Sequence, residues 1–215
     1  MSALNYIPTE CRDGYHRHAQ SVLVDVFQQH GVRALESTRK CAALHEAGHC
    51  IVNTITADAD QGGQFGSPDS TRIWRAPVKG ATVWLGETLP HRKAPPLHIN
   101  AKVDPMSYLA FMVRTMGGIA AELAFDGADY RAGSSIDEWI VAGGCARTLA
   151  ELGAYPSAEA ALMNVLRATT FMLTANETVV RAIATQLEEK RHVHGAELAG
   201  LLRPVQKNPP LGFAT

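Results

Sequence analysis

A mainly helical domain with one small β-hairpin is the fold class predicted by this chain of 215 residues. Three observations predict it. Apolar residues recur every three or four positions over most of the length, breaks rich in Gly, Asp and Ser separate these stretches, and only two short runs alternate instead. A composition of 46% hydrophobic and 19% charged residues is that of a globular chain and excludes a disordered tail or low-complexity array. At ~150 residues per domain the length predicts one core with appendages. We place an N-terminal helical extension at 1–36, the main domain at 37–203 and a Pro-rich flexible tail at 204–215.

The elements follow in order. Val22, Leu23, Val26 and Phe27 have helical spacing, and Gly31 supplies a stop. Ser37 or Thr38 caps a second helix, which runs through CAALHEAGHCIVNTI to about Ile55. The segment 58–70 reads as a loop. TRIWR (71–75) and ATVWLG (81–86) alternate as a hairpin or edge strands, and 90–96 is irregular. Asp104-Pro105 opens a helix expected to continue to about Phe125, with Gly117-Gly118 tolerated only by close packing on a neighbour. Another helix spans about Ile136 to Leu152. Ser157 then caps a long one whose stripe includes Leu162, Leu166, Leu173, Val180, Ile183 and Leu187. After the break HVHG comes the short helix GAELAGLL.

Charge and cysteine use exclude further classes. A formal charge of −1 and a pI near 6.7 argue against a nucleic-acid binder or an anionic-membrane binder. No apolar run approaches the ~18 residues that span a bilayer, and the first residues lack a signal-peptide stretch. Cys11, Cys41, Cys50 and Cys145 form no CxxC pair, so free thiols acting as small apolar fillers in a reducing cytoplasm are expected.

The chemistry lies in His45-Glu46-Ala47-Gly48-His49. Residues i and i+4 of a helix lie ~40° apart about its axis, so both imidazoles leave one face and can fill two corners of a zinc tetrahedron. Glu46 reaches the same side without ligating, where it can accept a proton from a water activated by the metal. An accidental HExxH somewhere in a chain of this composition has a probability of roughly 2%, which favours the zinc reading over two surface histidines. A catalytic site needs a third protein ligand and an open position. The HExxHxxGxxH extension is absent, since Val52 and Ile55 occupy its last Gly and His places. Spacing leaves Glu122, Asp126, Asp129, Asp137, His91 and His98 open as the third ligand. Glu122 could instead orient a zinc histidine from behind. The pairs His16/His18 and His192/His194 read as solvated, and Trp74, Trp84 and Trp139 as packing anchors.

From about Ser37 to Leu202 the chain resembles the peptidase domain of the FtsH-type ATP-dependent zinc metalloproteases. The resemblance rests on CAALHEAGHCIV, ATVWLGETLP, MGGIAAELAF, RAGSSIDEW and LEEKRHVHGAELAGLL, in that order. The family carries HEAGH, a GGRAAEE-like helix and a TGASND-like turn whose Asp is the third zinc ligand. The turn here reads Ala132-Gly133-Ser134-Ser135-Ile136-Asp137, so the resemblance implies a helical zincin fold with zinc on His45, His49 and Asp137. It also implies a neutral endopeptidase for unfolded or flexible polypeptide, with Glu46 as general base, and self-association of the domain. Ile136 departs from the family's Asn. No G-x-x-x-x-G-K-[ST] loop is present, so ATP-driven feeding would require a separate ATPase partner. Two alternatives stand beside this expectation: a non-proteolytic interaction scaffold that keeps the fold and metal, and a narrow regulatory protease cutting one partner.

Overall fold

The computed structural model describes residues 38–57, 66–78, 81–90, 105–126 and 136–207. The expected N-terminal extension 1–36, most of the 58–70 loop, His91, His98, Asp129 and the end of the tail lie outside them.

Helix α1 (Arg39–Thr56) is the central element. The Thr38 hydroxyl accepts the Cys41 amide at 3.0 Å, satisfying a donor that the first helical turn leaves open. Apolar and small residues occur on nearly every side of α1. It is accordingly buried almost all round, by the sheet on one flank and by helices on the others.

The hairpin is longer than its alternating core suggested. Strands β1 (Pro68–Val78) and β2 (Ala81–Pro90) pair antiparallel over nearly their whole length, with a register shift between Pro68 and Ser70. Polar residues such as Arg72 and Glu87 pair across the strands and extend the ladder beyond the apolar positions. The break HVHG is itself extended: β3 (His192–His194) joins β1 antiparallel and gives the order β2-β1-β3. A single buried Val193 between two exposed histidines is too short an alternation to read in advance. With β1 in the middle, β2 is an edge strand among the described residues.

The helix expected from Asp104 to Phe125 is two helices, α2 (Pro105–Thr115) and α3 (Gly117–Phe125), bent by 45° at Met116. The cause is the α1–α3 approach. A Cβ on Gly48 would sit 2.3 Å from the Gly117 carbonyl oxygen, and one on Gly117 would sit 2.5 Å from Val52 Cγ2. The two glycines let the backbones touch, and the bend delivers α3 to that contact. Among the described residues no single helix is long and apolar enough to cross a membrane.

Helix α4 (Ile136–Glu151) closes one side. The long helix expected after Ser157 is likewise divided, into α5 (Ala158–Ala175) and α6 (Glu177–Lys190). Ser157 caps α5 through the Ala160 amide at 3.1 Å. Asn176 makes the division. Its side chain donates to the Met172 carbonyl at 2.9 Å and accepts the Gln206 amide at 2.7 Å, so the first residues of the expected tail are tied down. Arg191 ends α6 in the left-handed region, at φ 65°, and turns the chain into β3 and then α7 (Gly195–Leu202). Cys41, Cys50 and Cys145 are buried thiols outside any disulfide, and burial pushes the Cys50 and Cys145 thiols up to about 12.

Candidate metal centre

His45 and His49 lie on one face of α1, as their spacing required, and their Nε2 atoms approach to 3.0 Å. Each ring is fixed through its other nitrogen. His45 Nδ1 donates to Glu122 Oε1 at 2.6 Å, and His49 Nδ1 donates to the Arg114 carbonyl at 3.0 Å. A carbonyl and a carboxylate can only accept, so both neutral rings carry hydrogen on Nδ1 and present a lone pair at Nε2. Glu122 thus stands behind a histidine, the position suggested for it as an orienting group. Arg114 is locked in turn, its Nε donating to Thr56 Oγ1 at 2.6 Å. A Cβ at position 118 would lie 2.2 Å from His45 Nε2, so a side chain there would displace the ring.

The third group is Glu138, in the first turn of α4. Its Oε1 lies 2.7 Å from His49 Nε2 and 3.3 Å from His45 Nε2. A tetrahedron with bonds of 2.0–2.1 Å has edges of about 3.4 Å, close to this triangle of 2.7, 3.0 and 3.3 Å. Two lone pairs and a carboxylate oxygen facing one point repel unless a proton or a cation lies among them. Glu138 Oε2 is also buried and lacks a hydrogen-bond partner. His45, His49 and Glu138 could therefore hold a metal ion.

The electrostatics agree. Burial alone would lower the pKa of His45, but the charge of Glu138 and the bonds to Glu122 and Glu138 outweigh it and raise it well above 6.5. His49 is raised in the same way, against its burial, mainly by Glu138. Burial works to raise Glu138, yet the two histidines bring it down to about 2. This is a centre that attracts positive charge.

Glu46 is 4% exposed and turned toward β2. Its Oε2 accepts from Thr88 Oγ1 at 2.7 Å, and its side chain fills the space where a Cβ on Gly86 would stand. Burial raises its pKa above 4.5, opposed by the charges of His49 and His45 and by the Thr88 bond. Glu46, both histidines and Glu138 border one cavity of about 480 Å³, whose wall includes Trp84, Gly86, Thr88 and Pro90 of β2.

The sequence-selected residues His45, Glu46, His49 and Glu122 therefore come together. The Asp137 side chain lies outside the described residues. Asp126, another of the open choices, pairs instead with Lys40 at 3.1 Å. Glu138 was not among the choices. Its signal is the α4 stripe: 138 stands four, seven and eleven residues before the buried Ala142, Cys145 and Leu149, so it shares their inward row. No protein-family model matches this chain, and no curated protein matches it.

Proposed function

We propose that the protein is a zinc-dependent endopeptidase acting on flexible or unfolded polypeptide. One observation carries the reading: three Lewis-basic atoms converge on one point of a cavity that also holds the buried carboxylate of Glu46. The resemblance of HEAGH and its flanking segments to the FtsH-type peptidases supports it.

Zinc suits two imidazoles and one carboxylate, and when bound it polarises the attacking water and the scissile carbonyl. His45, His49 and Glu138 would hold it, with Glu122 and the Arg114 carbonyl keeping both rings in the ligating tautomer. Glu46 takes the proton of the attacking water and passes it to the leaving amine. Thr88 holds Oε2 of Glu46 by a hydrogen bond, and Oε1 is the oxygen left to accept the proton. A raised pKa makes that carboxylate a stronger base than a solvated one. The edge of β2 offers main-chain hydrogen bonds along the cavity, on which an extended peptide can lie as an added strand.

The test is casein digestion by the zinc-loaded protein, with and without chelator, beside Glu46→Gln. Cleavage lost on chelation and in Glu46→Gln, with zinc content kept by the variant, is the expected result. Turnover retained by Glu46→Gln would remove Glu46 as the base.

A further inference from the structure

Trp84 stands at the wall of the cavity, and two guanidinium groups lie against its indole. Arg39 Cζ is 5.4 Å and Arg191 Cζ 5.5 Å from the ring centre. Packing explains one such stack well, but two like charges on one ring require something further. Among the described residues neither guanidinium has a carboxylate partner. Arg39 reaches only the Glu189 carbonyl, at 3.4 Å, and its Nε is buried without a hydrogen-bond partner. Arg191 is exposed and commits only its backbone. Arg75, directly across the ladder from Trp84, is a third exposed cation.

The setting adds to the positive field. Arg39 is the first residue of α1, whose opening turn holds no acid to offset the positive end of the helix. The neighbouring Lys40 is already neutralised by Asp126. Arg72 and Arg181 also stack on aromatic rings, and each of them pairs with a glutamate as well.

The geometry points to an anionic subsite at the Trp84 wall, where Arg39 and Arg191 receive an aspartate or glutamate side chain of the bound polypeptide. This deepens the endopeptidase reading and rests on it: substrates with an acidic residue at one register from the scissile bond are preferred. Trp84 supplies a flat wall that keeps both guanidinium groups in place. Arg191, exposed beside the ring, offers its guanidinium donors to the carboxylate, and Arg39 adds a second charge.

Binding, measured without cleavage, tests the subsite independently of catalysis. The zinc-loaded Glu46→Gln protein is titrated by fluorescence anisotropy with labelled neutral decapeptides, each with one Glu moved along the sequence, and with the all-Gln control. One or two registers should bind roughly fivefold more tightly than the control at low salt, with the gain fading as salt rises. Adding Arg39→Gln and Arg191→Asn should reduce those registers to the control level with zinc content and far-UV circular dichroism unchanged. The salt series gives the same readout should the added substitutions unfold the chain. Equal binding of every Glu peptide and the control, or no binding of any, overturns the subsite. Glu-selective binding in a wild-type protein that never cleaves would keep the subsite and refute the peptidase.

Discussion

Thr88 Oγ1 donates to Glu46 Oε2 at 2.7 Å, so one hydroxyl on β2 fixes a carboxylate carried by α1. The same hydroxyl meets Thr71 Oγ1 at 3.0 Å, which anchors it to the middle strand. Removing it frees the Glu46 side chain to turn. Thr88→Val is expected to lower kcat about tenfold with little change in KM, the size of one lost buried hydrogen bond. Thr88→Ser, which keeps the hydroxyl, should retain most of the rate. Steady-state kinetics on a fluorogenic peptide checks both, and a Val variant as fast as wild type would deny Thr88 this role.

Glu138 and Asp137 are neighbours in the first turn of α4, and only one can be the principal third ligand. The geometry favours Glu138, while the family resemblance assigns Asp137. Glu138→Gln is expected to leave the purified protein with far less than one zinc per chain, and Asp137→Asn to stay near one. Metal analysis after dialysis decides the matter, and the reverse result would transfer the role to Asp137.

In the metal-stripped protein the same charges make stability depend on pH. His45 and His49 are held above their ordinary 6.5, so their contribution is complete below 6.5 and is lost as pH climbs through the folded values. Glu138, down to about 2, contributes above 4.5 and loses its effect as pH falls toward 2. Glu46, raised by burial, becomes unfavourable as it ionises and pulls the optimum toward the acid end of this range. The chelated protein should reach its highest Tm between pH 4.5 and 6.5. Zinc, which replaces the protons, should restore the alkaline side. A Tm of the chelated protein that rises steadily to pH 8 would contradict this balance.

Gly48 is fixed by space rather than by chemistry. A methyl group there would meet the Gly117 carbonyl at 2.3 Å and Ala121 Cβ at 2.7 Å, and the backbone cannot yield cheaply. Gly48→Ala should therefore destabilise the fold by about 1–3 kcal/mol through overpacking. Urea unfolding measures it, and an unchanged midpoint would refute the close contact of α1 with α3.

Much of this is legible in the sequence. The cap at Thr38, the i, i+4 histidines and the face they share follow from local rules that operate within one helix. Glu122 was legible as a supporting group because it sits within the small-residue helix whose packing brings it behind His45. The two helix breaks were not. Met116 and Asn176 interrupt patterns that remain apolar and periodic, and the cause in each case is tertiary: contact with Gly48 at one, bonds to Gln206 at the other. Glu138 was missed because a ligand selected by matching short motifs ignores which row of a helix faces inward. The hairpin was underestimated because charged cross-strand pairs extend a ladder without adding to its alternation.

The encasement of α1 has a kinetic consequence. A helix enclosed on nearly every flank does not fray in isolation, so the amides of 45–49 should exchange with deuterium only when the whole domain opens. An ion seated on it cannot escape by local melting, and its departure is governed by passage through the cavity mouth. Chelators small enough to enter should strip the protein far faster than bulky ones of equal affinity.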